Sequence, residues 1–375
     1  DSCFHAISLA WVEPQMAWNE LRMLLASQNP DGFIGHVIYW GRFGAFRAAG
    51  FMQTPPHMWR RRHSGMIQPP VLAQALERVH ELSPNRTLLK EMLPLAQRYY
   101  DWIHRFRAVG DTGLIFVVSP YETGLDNSPA YDQTLGRHRP SRRQLLVSNR
   151  WLDFKNMLSL PRKGRLAVVD TMMNSLFAEG MRSLANLWCY LGDMDRAARN
   201  VSIAERTENS LHDRCWDEQH GQYVHLWVDK DADVRQTTAL NHARPLPVST
   251  VASLFPLVLE STPQDRKQTI MDRHLTNRAE YWLPYPLPSV ARSDPAFDPS
   301  SESLIWRGQT NMPVNWMLVR GLQRSGFGDQ ANHISDRSRV MAERAGFYEF
   351  YNPLTGDGLR GTDFGWATII IDMGA

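Results

Sequence analysis

Apolar residues recur at spacings of three and four along much of the chain, and the runs come in pairs. From Glu13 to Gln28, Met16, Ala17, Leu21, Leu24 and Leu25 share one helical face, and Asn29-Pro30-Asp31-Gly32 ends the run. Val71, Leu72, Ala75, Leu76 and Val79 repeat the pattern after Pro69-Pro70. Ser83-Pro84 reads as a cap with proline in the first turn, opening a helix that runs through Leu93, Ala96, Tyr100 and Ile103 to about Phe106. Long helices fit Ala167 to Tyr190 and Asp193 to Cys215, with Gly192 as the stop between them. Thr262-Pro263-Gln264-Asp265 is a further start signal, and the last helices are expected over Thr310 to Arg324, Asp329 to Ala345, and from Asp363 onward. Strand-like alternation is confined to Gly113 to Val118 and Gly221 to Val228, each beside a turn signal, so these read as hairpins on a helical body. Two stretches, Cys215 to Tyr223 and Glu349 to Gly356, each follow a helix with an acidic or aromatic cluster and then a glycine turn. That recurrence suggests repetition of a helix, hairpin, helix unit.

The remaining segments, 139–165 and 277–308, are rich in Pro, Ser and Arg, and are long enough to be functional loops. No glycine-rich phosphate loop joins a strand to a helix, which disfavours the doubly wound nucleotide-binding folds.

Composition narrows the picture. A chain of 375 residues with 43% hydrophobic content can bury a substantial core, and a net charge of +2 with scattered basic residues lacks the footprint of a nucleic-acid binder. Arg60-Arg61-Arg62-His63 and the group from Arg137 to Arg143 read as solvated loops. No run approaches the roughly 20 apolar residues of a membrane span. The three cysteines, Cys3, Cys189 and Cys215, have neither disulfide nor zinc spacing, so a reducing, cytoplasmic setting and a site without metal or cofactor are expected. The chain opens at Asp1-Ser2-Cys3-Phe4 in what reads as a helix already under way, which suggests an absent upstream helix. Assembly into a homo-oligomer stays open.

The 13 tryptophans change the emphasis, because a flat apolar face with one donor suits sugar rings as well as cores. Cleaving a glycosidic bond needs two carboxyl groups on opposite sides of the sugar, one to protonate the departing oxygen and one to act as nucleophile or as base for water. Asp126 lies between Gly124 and Pro129 on non-helical backbone near Tyr121 and Tyr131, where partial desolvation would raise its pKa as an acid requires; an ordinary Asx turn is the plainer reading. Glu349 is a lone carboxylate among Phe347, Tyr348, Phe350 and Tyr351, and in a strand it would face either solvent or a cleft.

These stretches carry a resemblance. Glu122-Thr123-Gly124-Leu125-Asp126-Asn127-Ser128-Pro129 resembles the acid-bearing motif of the mannosylglycerate and glucosylglycerate hydrolases in glycoside hydrolase family 63. In the family's order follow look-alikes of its opening motif (Asp1 to Ala6), its substrate loop (Asp31 to His36), its Gln-Pro-Pro segment (Ser64 to Pro70), its Trp-Arg-Gly motif (Trp306 to Gly308) and its base-bearing motif (Glu349 to Gly356), closed by Asp363-Phe364-Gly365-Trp366. The likeness spans essentially the whole chain and implies one catalytic domain over 1–375, an all-α (α/α)6 toroid with short hairpins and long loops over a cleft. It implies an inverting mechanism with Asp126 as acid and Glu349 as base, their carboxyls roughly 6.5 to 9.5 Å apart. Asp1, Gln68, Trp306 and Arg307 would grip the sugar, Trp40, Tyr121 and Trp366 would wall the pocket, and His36, Glu122, Gly124 and Tyr351 complete the expected contacts. For Arg307 a buried ion pair bracing its loop is an equal alternative.

The implied substrate is a small α-glucoside or α-mannoside such as glucosylglycerate or mannosylglycerate, with the sugar left open. An anionic aglycone would need a cation, for which His36, Arg42 and the Arg137 to Arg143 loop are candidates. Tyr121, Gly35 and Gln309-Thr310-Asn311 depart from the family pattern beside the pocket, which bears on the substrate more than on the chemistry. Two other readings stand beside this one: a trehalase-like hydrolase of a neutral disaccharide, and a sugar-binding protein that has lost catalysis.

Overall fold

The computed structural model describes residues 1–40, 64–136 and 166–374. Its helices are α1 (Ser2–Val12), α2 (Pro14–Ala26), α3 (Leu72–Leu82), α4 (Arg86–Arg107), α5 (Thr171–Leu191), α6 (Met194–Cys215), α7 (Gln264–Ile270), α8 (Met312–Arg324) and α9 (Gly328–Ala345). Two 3-10 segments, Val251–Val258 and Gly365–Asp372, complete the architecture.

Most expected helices form, with ends set by capping. The helix expected at Ser83-Pro84 starts at Arg86, because the Asn85 side chain accepts the Leu88 N–H at 3.0 Å while Ser83 closes α3. The one expected from Ala167 starts at Thr171, where Asp170 accepts the Met173 N–H at 2.8 Å and Val168–Val169 is drawn into a strand. Gly192, at φ +91°, terminates α5 in the left-handed conformation that glycine adopts freely. The hairpin expected over Gly113 to Val118 is absent; single bridges, Ala108 to Ile115 and Val117 to Val168, take its place, since these residues pair with distant backbone.

Six elements close a ring: α1 packs on α3, α3 on α5, α5 on Val251–Val258, that segment on α8, α8 on Gly365–Asp372, and the last returns to α1. Helices α2, α4, α6, α7 and α9 each follow one ring member and form the outer layer. This is the expected toroid. Among the described residues no outer helix follows Gly365–Asp372, and an apolar groove lined by Trp11, Val12, Phe347 and Ile371 lies along α1 and α9 there. Asp372 ties the ring together: its buried carboxylate accepts from Trp11 at 2.9 Å and Trp316 at 2.8 Å and pairs with Arg78 at 2.7 Å.

The strands are short. β1 (Val168–Val169), β4 (His225–Trp227) and β5 (Arg244–Leu246) form one antiparallel sheet in the order β1-β4-β5. Two hairpins, β2 (Trp216–Asp217) with β3 (Gln222–Tyr223) and β6 (Tyr348–Tyr351) with β7 (Gly358–Thr362), follow the outer helices α6 and α9. They realise the repeated unit visible in the sequence.

Candidate active site

Two loops from opposite halves of the chain meet over one end of the ring. The first, 119–136, winds through a 3-10 turn, Pro120–Thr123, and ends it at Gly124 with φ +70°, a backbone setting that a side chain would strain. Its rigidity comes from buried charge. Glu122 is fully buried and takes two contacts from Arg107, at 2.6 and 2.9 Å, while accepting the Ile67 and Val118 N–H groups at 3.1 and 2.9 Å. Further along, Asp132 receives a forked Arg307 at 2.6 and 2.8 Å, which pins the Trp306 to Gly308 loop to it.

Asp126 lies between these two braces. Burial lifts its carboxyl to about 7; the negative charge of Glu349 adds to the lift, while its own backbone N–H and the Arg360 guanidinium pull the other way. Asp126, Glu349 and Arg360 are thus within electrostatic reach of one another.

Glu349 sits in β6, where the ladder is broken. Tyr348 pairs with Thr362 and Phe350 with Leu359, so one residue, Glu349, opposes two, Arg360 and Gly361. The Glu349 carboxylate contacts Arg360 Nε at 3.2 Å, and its carbonyl accepts from Asn311 Nδ2 at 3.2 Å and from Trp366 Nε1 at 3.3 Å.

Beside the two carboxylates lies a cavity of about 420 Å³, within the range of small-molecule sites. Asp1, His36, Trp40, Gln68, Gly124, Trp306 and Trp366, all named as candidate contacts in the sequence, line it. Trp306 is buried with φ +64° and meets Phe350 edge-on at 4.9 Å. Neither Asp126 nor Glu349 lines it directly; Leu125 does, as do Asn311 and Trp366, which hold the Glu349 backbone.

Four of the expected contact residues do not line the cavity. Glu122 and Arg307 form ion pairs with Arg107 and Asp132, which for Arg307 is the loop-bracing pair that the sequence offered as the equal alternative. Tyr351 is fully buried, its hydroxyl donating to the Gly346 carbonyl at 2.7 Å and accepting the Tyr348 N–H at 3.0 Å. Tyr121 does not line the cavity. Burial pushes the His36 pKa down to about 4, and its Nδ1 has no partner among the described residues. Arg42 and Arg137 to Arg143 lie outside the described residues. Sequence reasoning missed Arg107, Asp132 and Arg360, and placed Asn311 beside the pocket without a role; for Arg360 the one available signal was that a hairpin leaving Glu349 and turning at Pro353 to Gly356 must return near it.

A family model described as the mannosylglycerate hydrolase MGH1-like glycoside hydrolase domain matches residues 1–367. The chain belongs to this family. It is therefore a glycosidase, and the helical toroid is the family's scaffold. A mannosylglycerate hydrolase of Thermus thermophilus is 29% identical, the match covering 99% of this chain and 92% of the relative. A glucosylglycerate hydrolase of Mycolicibacterium hassiacum is 23% identical, over 99% of this chain and 90% of the relative. The crystal structure of a family 63 mannosylglycerate hydrolase from Thermus thermophilus in complex with Tris and D-glycerate superposes with a TM-score of 0.82 at 26% identity, covering 100% of this chain and 92% of that one. Among the described residues no helix is long and apolar enough to cross a membrane, and no group of three His, Cys, Asp or Glu side chains is placed to hold a metal.

Proposed function

We propose that this chain is an inverting hydrolase of a small α-glycoside whose aglycone is glycerate, the sugar being mannose or glucose. The observation that carries the reading is the contrast between its two carboxyls: Asp126 is lifted to about 7 by burial, while Glu349 faces an arginine at 3.2 Å. Two like groups in unlike surroundings take opposite protonation roles. Asp126 gives its proton to the glycosidic oxygen as the bond from the anomeric carbon to that oxygen breaks. Glu349 takes a proton from the water that attacks the same carbon from the opposite face, so the sugar leaves with inverted configuration. The named activities of the two relatives and the D-glycerate bound in the structural neighbour support glycerate as the aglycone.

Time-resolved proton NMR of the products from mannosylglycerate, glucosylglycerate, trehalose and kojibiose tests chemistry and substrate together. The expected result is rapid release from a glycerate glycoside with the β-anomer appearing first, abolished in both Asp126→Asn and Glu349→Gln. An α-anomer as first product, or undiminished turnover in those variants, overturns the mechanism. Faster turnover of the disaccharides overturns the substrate.

A further inference from the structure

The β6-β7 hairpin holds an unusual residue at its break. Where two residues of one strand oppose one of the other and the first has left-handed backbone, that first position is ordinarily glycine, because a Cβ is strained there. Here it is Arg360, at φ +65°. Gly361 is the second residue of the bulge, so the glycine does not occupy the left-handed position that Arg360 holds. Among the described residues the only other non-glycine positions with such a backbone are Trp306 (φ +64°), which lines the cavity, and Asp363 (φ +53°), three positions before the lining residue Trp366. Strain concentrated in this way marks positions held for a purpose other than stability.

The bulge has a geometric consequence. It turns the Arg360 side chain onto Glu349, whose Oε2 lies 3.2 Å from Nε. Among the described residues the other oxygen, Oε1, accepts no hydrogen bond, whereas the Glu349 backbone is fixed by Asn311 and Trp366. With Oε2 occupied and the backbone held, the remaining oxygen is the one left to face a water. Arg360 is partly exposed, with about a third of its side chain accessible (34%), so it can hold this contact at the rim without the penalty of a fully buried ion.

We infer that Arg360 is a positioning residue for hydrolysis: it occupies a strained bulge position so that its guanidinium holds one oxygen of Glu349 and aims the other at the attacking water. This inference rests on the reading of Glu349 as the base. Replacing Arg360 by glycine removes the guanidinium and relieves the backbone, so structure and catalysis should move in opposite directions. For Arg360→Gly the expected outcome is an unchanged or higher thermal midpoint, a kcat about 10- to 100-fold lower, and a KM within about threefold of the parent, as befits loss of aim and not of binding. Arg360→Asn, whose side chain tolerates the left-handed region, should behave alike, and Arg360→Lys should recover part of kcat. A kcat within twofold in both neutral variants overturns the inference, as does a rise in KM alone, which would make Arg360 a reader of the substrate's carboxylate. Loss of folding in both would show that the arginine is kept for stability. Glu349→Gln run in parallel separates the levels: if it retains the parental rate, the base assignment itself fails; if it is inactive while Arg360→Gly is unaffected, only the present inference fails.

Discussion

The loop that carries Asp126 and the hairpin that carries Glu349 hold their carboxyls in opposite ways. Around Asp126 the loop is anchored by desolvated, forked ion pairs on either side, Glu122 with Arg107 and Asp132 with Arg307, and the functional carboxyl between them is governed by its burial. Around Glu349 the anchoring is main-chain hydrogen bonding from Asn311 and Trp366, and the functional carboxyl itself carries the arginine. In the loop the charge pairs hold the scaffold; in the hairpin, on the proposed mechanism, the charge pair serves the reacting group. The difference teaches that two chemically similar side chains can be set in unlike surroundings within one site: burial governs the Asp126 carboxyl, whereas a guanidinium touches the Glu349 carboxylate.

The sharpest way to break the comparison is to neutralise either carboxyl. Asp126→Asn and Glu349→Gln should each lower kcat by about 10²- to 10⁴-fold while circular dichroism stays parental; a deficit confined to one variant would mean the other carboxyl is scaffold. Next in size is the anchor of the acid loop. Arg107→Ala leaves the Glu122 carboxylate buried without its cation, and a loss of about 3 to 5 kcal/mol in denaturant unfolding is expected, whereas Arg360→Gly at the hairpin should cost no stability. Equal destabilisation by the two would erase the distinction between scaffold charge and working charge.

The pH response is smaller and signed. On the proposed mechanism Asp126 acts in its protonated form, so kcat should fall as pH rises through about 7. Its folded pKa lies above the unfolded value of about 3.9, so its contribution to stability is fully present below that value and is lost as pH rises through about 7. Asp126→Asn should therefore gain thermal stability relative to the parent at pH 8 and show no such gain at pH 4; a constant difference between the two pH values would contradict the burial of the acid. The smallest effect belongs to Trp366→Phe, which keeps a ring on the cavity wall but deletes the 3.3 Å hydrogen bond to the Glu349 carbonyl. A loss of about 0.5 to 1.5 kcal/mol, read as a several-fold drop in kcat, is expected.

Much of this architecture is legible in the chain because helix periodicity and capping are local. The α2 face, the Gly192 stop and the Asp193 start need only a few neighbouring residues to be recognised. Val251–Val258 escaped notice for the opposite reason: a short, nearly all-apolar run broken only by Ser253 carries no clear period, although it is a full member of the inner ring. The site divides in the same way. Asp126, Glu349, Trp306 and Trp366 stand in recognisable motifs, but a motif does not tell a charge that meets substrate from one that meets protein. For Glu122 and Arg307 the pairing partners, Arg107 and Asp132, lie 15 and 175 positions away, so the sequence names a sugar contact for Glu122 and leaves Arg307 between a sugar contact and an ion pair. Arg360 was invisible until the strand register placed it across from Glu349.

The claim that most depends on measurement is the ionisation state of the acid. Carbon NMR of protein labelled at the aspartate carboxyls, with Asp126 identified by the resonance missing from Asp126→Asn, reads it directly. The account predicts a carboxyl that titrates near 7 and shifts further upward when Arg360 is replaced by glycine. A resonance that titrates below about 5, in the range of ordinary exposed aspartates, and ignores Arg360 would contradict it.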